Sequence, residues 1–128
     1  MKKILVVDDD PDVIEASGIV LEKGGYQVVT ASSRMAGMDA YKAESPDLIV
    51  LDVMMDEPDD GFHLAQDLRA QGVQIPILMM TSIGRVSGFS FGADDELLPV
   101  DAFLEKPATP DNLLKTVNEL LKSKEGGN

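Results

Sequence analysis

Ile4-Leu5-Val6-Val7-Asp8-Asp9-Asp10-Pro11 opens the chain, and its apolar-to-acidic switch is repeated at Leu48-Ile49-Val50-Leu51-Asp52. Four consecutive branched apolar residues have no polar alternation, so each run reads as a strand covered on both faces, as in a parallel sheet. Carboxylates placed at the exits of such strands do no packing. If the two strands are neighbours, at least three acids meet in one small volume, and their mutual repulsion demands a proton or a cation. A hard divalent metal is the expected answer.

Strand and helix patterns alternate outward from these runs. A strand over Lys3 to Val7 leads to Pro11, suited to the first turn of a helix carrying Val13, Ile14, Ser17, Val20 and Leu21 on one side and ended by Gly24-Gly25. Tyr26 to Thr30 is a strand. Ser32 or Ser33 can cap a second helix through about Glu44, with Met35, Met38 and Tyr41 inward, stopped by Pro46. Asp47 to Leu51 is a third strand. Phe62, Leu64, Ala65 and Leu68 mark a third helix opened by Gly61, and Ile75 to Met80 a fourth strand. Ala102-Phe103-Leu104 is a short fifth strand, and Leu113, Leu114, Val117, Leu120 and Leu121 mark a last helix capped by Thr109 or Asp111. Alternation of this kind predicts a parallel sheet with helices on both faces and right-handed crossovers, with ligands beyond the carboxyl ends of the strands. The segment Ser82-Ile83-Gly84-Arg85-Val86-Ser87-Gly88-Phe89-Ser90-Phe91-Gly92 breaks the pattern. Its glycines and serines, without an apolar stripe, predict a fourth crossover whose helix is short, irregular or missing, anchored by Phe89, Phe91, Leu97 and Leu98.

The 128 residues fit one domain, with a domain over 1–123 and a flexible tail over 124–128. There are no cysteines, so disulfides and thiolate metal sites are excluded, and oxygen donors remain beside the single imidazole of His63. The net charge of −12 argues against sequence-independent nucleic-acid binding and against anionic membrane surfaces. The first apolar run is too short for a signal core or a membrane span, which places the protein in the cytoplasm.

Taken together, Ile4 to Pro11, Pro46-Asp47-Leu48-Ile49-Val50-Leu51-Asp52-Val53-Met54-Met55, Met80-Thr81-Ser82 and Phe103-Leu104-Glu105-Lys106-Pro107 resemble the receiver domain of two-component response regulators. The resemblance covers nearly the whole chain. It implies a doubly wound, flavodoxin-like and CheY-like α/β fold with five parallel strands in the order 2-1-3-4-5. It also implies that Asp8 and Asp9 bind Mg2+ (or Mn2+), with Asp52 and the backbone carbonyl of Met54 completing the protein's share of the shell. Asp52 is then the phosphoacceptor, a carboxylate nucleophile. Thr81 donates its hydroxyl to the phosphoryl group and Lys106 presents a point charge to it. Thr81 and Phe103 correspond to the switch pair, and a cis peptide is expected at Lys106-Pro107. The donor is a histidine kinase or a histidine phosphotransfer protein. A stand-alone receiver, monomeric or weakly dimeric, signals to an unidentified downstream protein or passes phosphate onward in a relay, with no DNA-binding output domain. Such a protein catalyses only its own phosphorylation and dephosphorylation and is no enzyme in the usual sense.

Two departures stand against the family pattern. The turn Asp56-Glu57-Pro58-Asp59-Asp60-Gly61 is longer and more acidic than the usual receiver turn, and Gly84 to Val100 is longer than the usual connection. Apolar Met54 and Ile83, beside the site, are poorly suited to orient an attacking water and favour a long-lived phosphoryl group. Three other readings remain open. A pseudo-receiver would keep the fold without phosphorylation. An aspartate-nucleophile phosphatase would use Asp8 and Asp10. A flavin binder would need a phosphate loop where this chain has acids.

Overall fold

The structure, a computed structural model, describes residues 2–52, 60–82, 100–106 and 109–126. Among these, strands β1 (Lys3–Val7), β2 (Gln27–Ala31), β3 (Leu48–Asp52), β4 (Ile77–Ser82) and β5 (Ala102–Lys106) are interleaved with helices α1 (Pro11–Lys23), α2 (Arg34–Glu44), α3 (Asp60–Ala70) and α4 (Pro110–Gly126). All strand pairs are parallel, and the sheet order is β2-β1-β3-β4-β5, as the resemblance implies.

Continuous apolar runs are needed because both faces of the sheet are covered. Leu5, Val7, Ile49, Leu51, Ile77 and Met79 point to one side and pack with Leu64, Ala65 and Leu68 of α3. Ile4, Val6, Leu48, Val50, Leu78 and Met80 point to the other and meet Leu21 of α1 and Leu113, Val117 and Leu121 of α4. Successive residues of β1 and β3 therefore serve two cores, a period of two read twice. Chain order reverses direction at β1, so the gap between β1 and β3 is the switch point where such sheets hold ligands.

The helix ends follow local chemistry. Asp10 caps α1 ahead of Pro11, and Ser33 caps α2 by accepting the Ala36 N–H at 3.1 Å. Thr109 is the cap of α4: its hydroxyl accepts from the Asn112 N–H at 3.1 Å, which settles the choice against Asp111. Gly25 and Gly72 turn the chain after α1 and α3 at φ of 96° and 87°, conformations that a side chain disfavours. Arg69, near the end of α3, donates to the carbonyls of Val73 and Ile75 at 3.0 and 2.9 Å and to the Asp101 carboxylate at 2.8 Å. The same Asp101 oxygen accepts the Ile77 N–H at 2.8 Å, while the Asp101 N–H donates to the Ile77 carbonyl at 2.9 Å.

Several expectations need correction. Met35 is 79% exposed rather than inward. At 100° per residue it lies on the far side of α2 from Gly37, and Gly37 is the residue pressed onto the sheet. A β-carbon on Gly37 would lie 2.9 Å from a Leu64 methyl and 3.1 and 3.2 Å from the two Val7 methyls. A glycine carries no apolar signal, so the apolar pattern points to Met35, two residues away, in place of Gly37. The last helix spans Pro110–Gly126, so its final turn takes in residues 124–126. Strands β3, β4 and β5 each extend further than the apolar runs, taking in Asp52, Thr81, Ser82, Glu105 and Lys106. The expectation of a short, irregular or missing helix in the fourth crossover lies outside the described residues.

Candidate functional site

Val7 and Leu51 are the last register pair between β1 and β3, so the next residues, Asp8 and Asp52, stand side by side at the switch point. Asp8 is 2% exposed and Asp52 7% exposed, whereas Asp9 faces solvent. Carboxylate oxygens of Asp8, Asp9 and Asp52 all lie within 4.8 Å of one another. Two oxygens across an octahedron of bonds of about 2.1 Å are about 4.2 Å apart, so the cluster has the size and the hard donor set that magnesium or manganese accepts.

The backbone between β1 and α1 holds the acids in place. The Asp8 N–H donates to the Ala31 carbonyl at 3.1 Å, extending the β1–β2 pairing past the strand. The Asp10 N–H donates to Asp8 Oδ1 at 2.9 Å, which orients that carboxylate. Asp10 itself turns away: its side chain accepts the Asp12 N–H at 2.9 Å and its carbonyl accepts from Ile14 at 3.1 Å. Asp10 is thus committed to starting α1, as an acid at a helix N-terminus ahead of Pro11 would be. Its backbone contribution to orienting Asp8 was not anticipated; the signal available was an N-cap only two residues after a strand-end acid.

The other sequence-derived residues reach the same end of the sheet by register. Asp52 pairs with Met80, so Thr81 is one step beyond it on the neighbouring strand; Thr81 pairs with Glu105 and Ser82 with Lys106. The backbone positions of Thr81 and Lys106 therefore converge on the cluster. Phe103 pairs with Met79 and is half-buried against the core on the α2 and α3 side. Met54, the Lys106-Pro107 peptide, Ile83 and the acidic turn from Asp56 to Asp59 lie outside the described residues. His63 sits in α3, half-buried, and is not part of the cluster.

A sequence family model described as the response regulator receiver domain matches residues 4–118. The chain belongs to the response regulator receiver family. Among curated relatives, this receiver is similar to the alkaline phosphatase synthesis transcriptional regulatory protein PhoP of Bacillus subtilis, 38% identical over 128 residues, covering 97% of this chain and 50% of the relative. It is also similar to the DNA-binding dual master transcriptional regulator RpaA of Synechocystis, 37% identical over 128 residues, covering 95% of this chain and 50% of that one. The receiver thus spans about half the length of these relatives. Among solved structures, the receiver domain of the Francisella response regulator 1452 superposes with a TM-score of 0.84 at 26% identity, over 97% of this chain and 99% of that one. A receiver domain protein from Clostridium thermocellum superposes with a TM-score of 0.85 over the whole of both chains at 24% identity, a likeness of fold. Among the described residues, no helix of this receiver is long and apolar enough to cross a membrane.

Proposed function

We propose that this receiver takes a phosphoryl group on Asp52 from a histidine kinase or a histidine phosphotransfer protein. The reading is carried by one observation, the convergence of Asp8, Asp9 and Asp52 at the switch point, two of them buried. A carboxylate oxygen of Asp52 attacks phosphorus, the bond from phosphorus to the donor nitrogen breaks, and its electron pair leaves with the imidazole. Little covalent work falls to the protein, so positioning and charge compensation dominate. Asp8 and Asp9, with the Met54 carbonyl, would hold Mg2+ or Mn2+. Once bound, such a cation neutralises charge between two anionic reactants. Asp10 keeps Asp8 oriented through its N–H, Thr81 donates to a phosphoryl oxygen, and Lys106 brings a positive charge from β5. Thr81 and Phe103 are the candidates for reporting the modification, through a hydroxyl shift and a ring rotation.

Output would run through a protein partner in the cytoplasm. The curated relatives are named as transcriptional regulators, but a segment of net charge −12 is not the part that would contact DNA phosphates. The test is intact-mass analysis after incubation with an acyl phosphate. One added phosphoryl group is expected with magnesium, none with chelator, and none in Asp52→Asn. Equal labelling of wild type and Asp52→Asn would reject the site. Absence of label in both would favour a pseudo-receiver, and multiple turnover a phosphatase.

A further inference from the structure

We infer that Asp101 is a positioning residue that sets which residue of β5 stands at the phosphorylation site. The inference rests on the proposed function for its consequence and on register for its physics. Among the described residues β5 is an edge strand paired with β4 alone, and parallel strands are joined by a crossover rather than by a tight turn that fixes register.

Apolar alternation restricts β5 only in part. Phe103 packs into the core on the α2 and α3 side, while Ala102 and Leu104 pack into the core on the α1 and α4 side. A slip of one residue would exchange these faces and is disfavoured by burial. A slip of two residues preserves the faces, so alternation does not forbid it. Such a slip would carry Lys106 about 7 Å along the sheet, away from its place opposite Ser82.

Asp101 closes that gap. Its N–H donates to the Ile77 carbonyl at 2.9 Å and its carboxylate accepts the Ile77 N–H at 2.8 Å, so it grips the first residue of β4 from both sides. Arg69 holds the same carboxylate oxygen at 2.8 Å while binding the Val73 and Ile75 carbonyls that lead into β4. Because Asp101 immediately precedes β5, this grip makes Lys106 the residue opposite Ser82. A strand shifted by two residues would present Pro99 or Phe103 at Ile77, and neither side chain can accept that N–H.

The test compares Asp101→Ala and Asp101→Asn with wild type by three measurements: Mg2+ affinity by calorimetry, the rate of acyl-phosphate labelling at saturating Mg2+, and cross-strand backbone NOEs. In Asp101→Ala, Mg2+ affinity is expected to stay within about twofold, since the three acids belong to the turn after β1 and to the end of β3. Labelling is expected to slow by about tenfold or more. NOEs should be lost or shifted between β4 and β5 only. Asp101→Asn retains an acceptor for the Ile77 N–H and should recover most of the rate. An unchanged rate in Asp101→Ala, or a parallel fall in rate and Mg2+ affinity, overturns the inference. If wild type itself takes no label, the phosphoacceptor reading fails alone. The β4–β5 NOEs then decide: native register in Asp101→Ala rejects the inference, and altered register sustains it.

Discussion

Replacing Asp52 by Asn removes one charge from a crowded cluster while keeping the side chain's size, so its sign on stability is informative. Asp8 and Asp52 are both buried, and their nearest oxygens lie within 4.8 Å. At an effective dielectric of about 20, two unit charges at that separation of 4.8 Å repel by about 3.5 kcal/mol. Solvent screening at the open end of the cluster, where Asp9 is exposed, lowers the net relief to about 2 kcal/mol. For a domain of this size that corresponds to a rise in Tm of about 5–10 °C. Thermal melts followed by circular dichroism, in buffer with chelator, should therefore show Asp52→Asn melting above wild type. Magnesium at a hundredfold excess over its dissociation constant should stabilise wild type by about 2.7 kcal/mol and the variant much less, closing the gap. A variant that melts below wild type in chelator would refute the argument from charge crowding. So would an equal magnesium response in the two proteins.

Other expectations are narrower. Asp9→Asn should weaken magnesium binding in calorimetry with little change in the chelator melt, because Asp9 is the solvent-facing member of the cluster. Gly37→Ala should lower stability in urea by about 1–2 kcal/mol, despite alanine's better helix propensity, because its β-carbon meets Leu64 and Val7; unchanged stability would mean that α2 can retreat freely. Ser33→Ala should cost about 1 kcal/mol in the same assay through loss of the α2 cap, with magnesium affinity untouched.

The fold was legible because two-faced burial leaves a plain mark: Ile4 to Val7 and Leu48 to Leu51 cannot be anything but covered strands once acids and helical patterns follow them. The acids were legible for the same reason, since Asp8 and Asp52 interrupt apolar runs where packing has no use for them. Ser33 and Thr109 were readable from residue type and position, each as one of two candidate caps. Contacts made by absence were not. Gly37 seats α2 by having no side chain, and Met35, two residues away, drew the apolar pattern to the wrong side. Asp101 was equally hidden, because a single acid before a short strand looks like a loop residue until Ile77 and Arg69 are seen beside it. The strand ends were underestimated where polar candidate residues such as Thr81 and Lys106 continue the backbone pairing after the apolar pattern has stopped.

The position of each strand in the sheet also divides the proposed site by durability. β1 and β3 are paired on both sides, so Asp8 and Asp52 are carried by backbone that is released only when the whole sheet comes apart. Lys106 rides on β5, which is paired on one side and can detach by a local opening of much lower free energy. Amide exchange should grade accordingly, slowest in β1 and β3 and faster in β5. The acid half of the site then outlasts the lysine half, and under mild destabilisation the protein loses its fifth strand while the carboxylate cluster is still assembled.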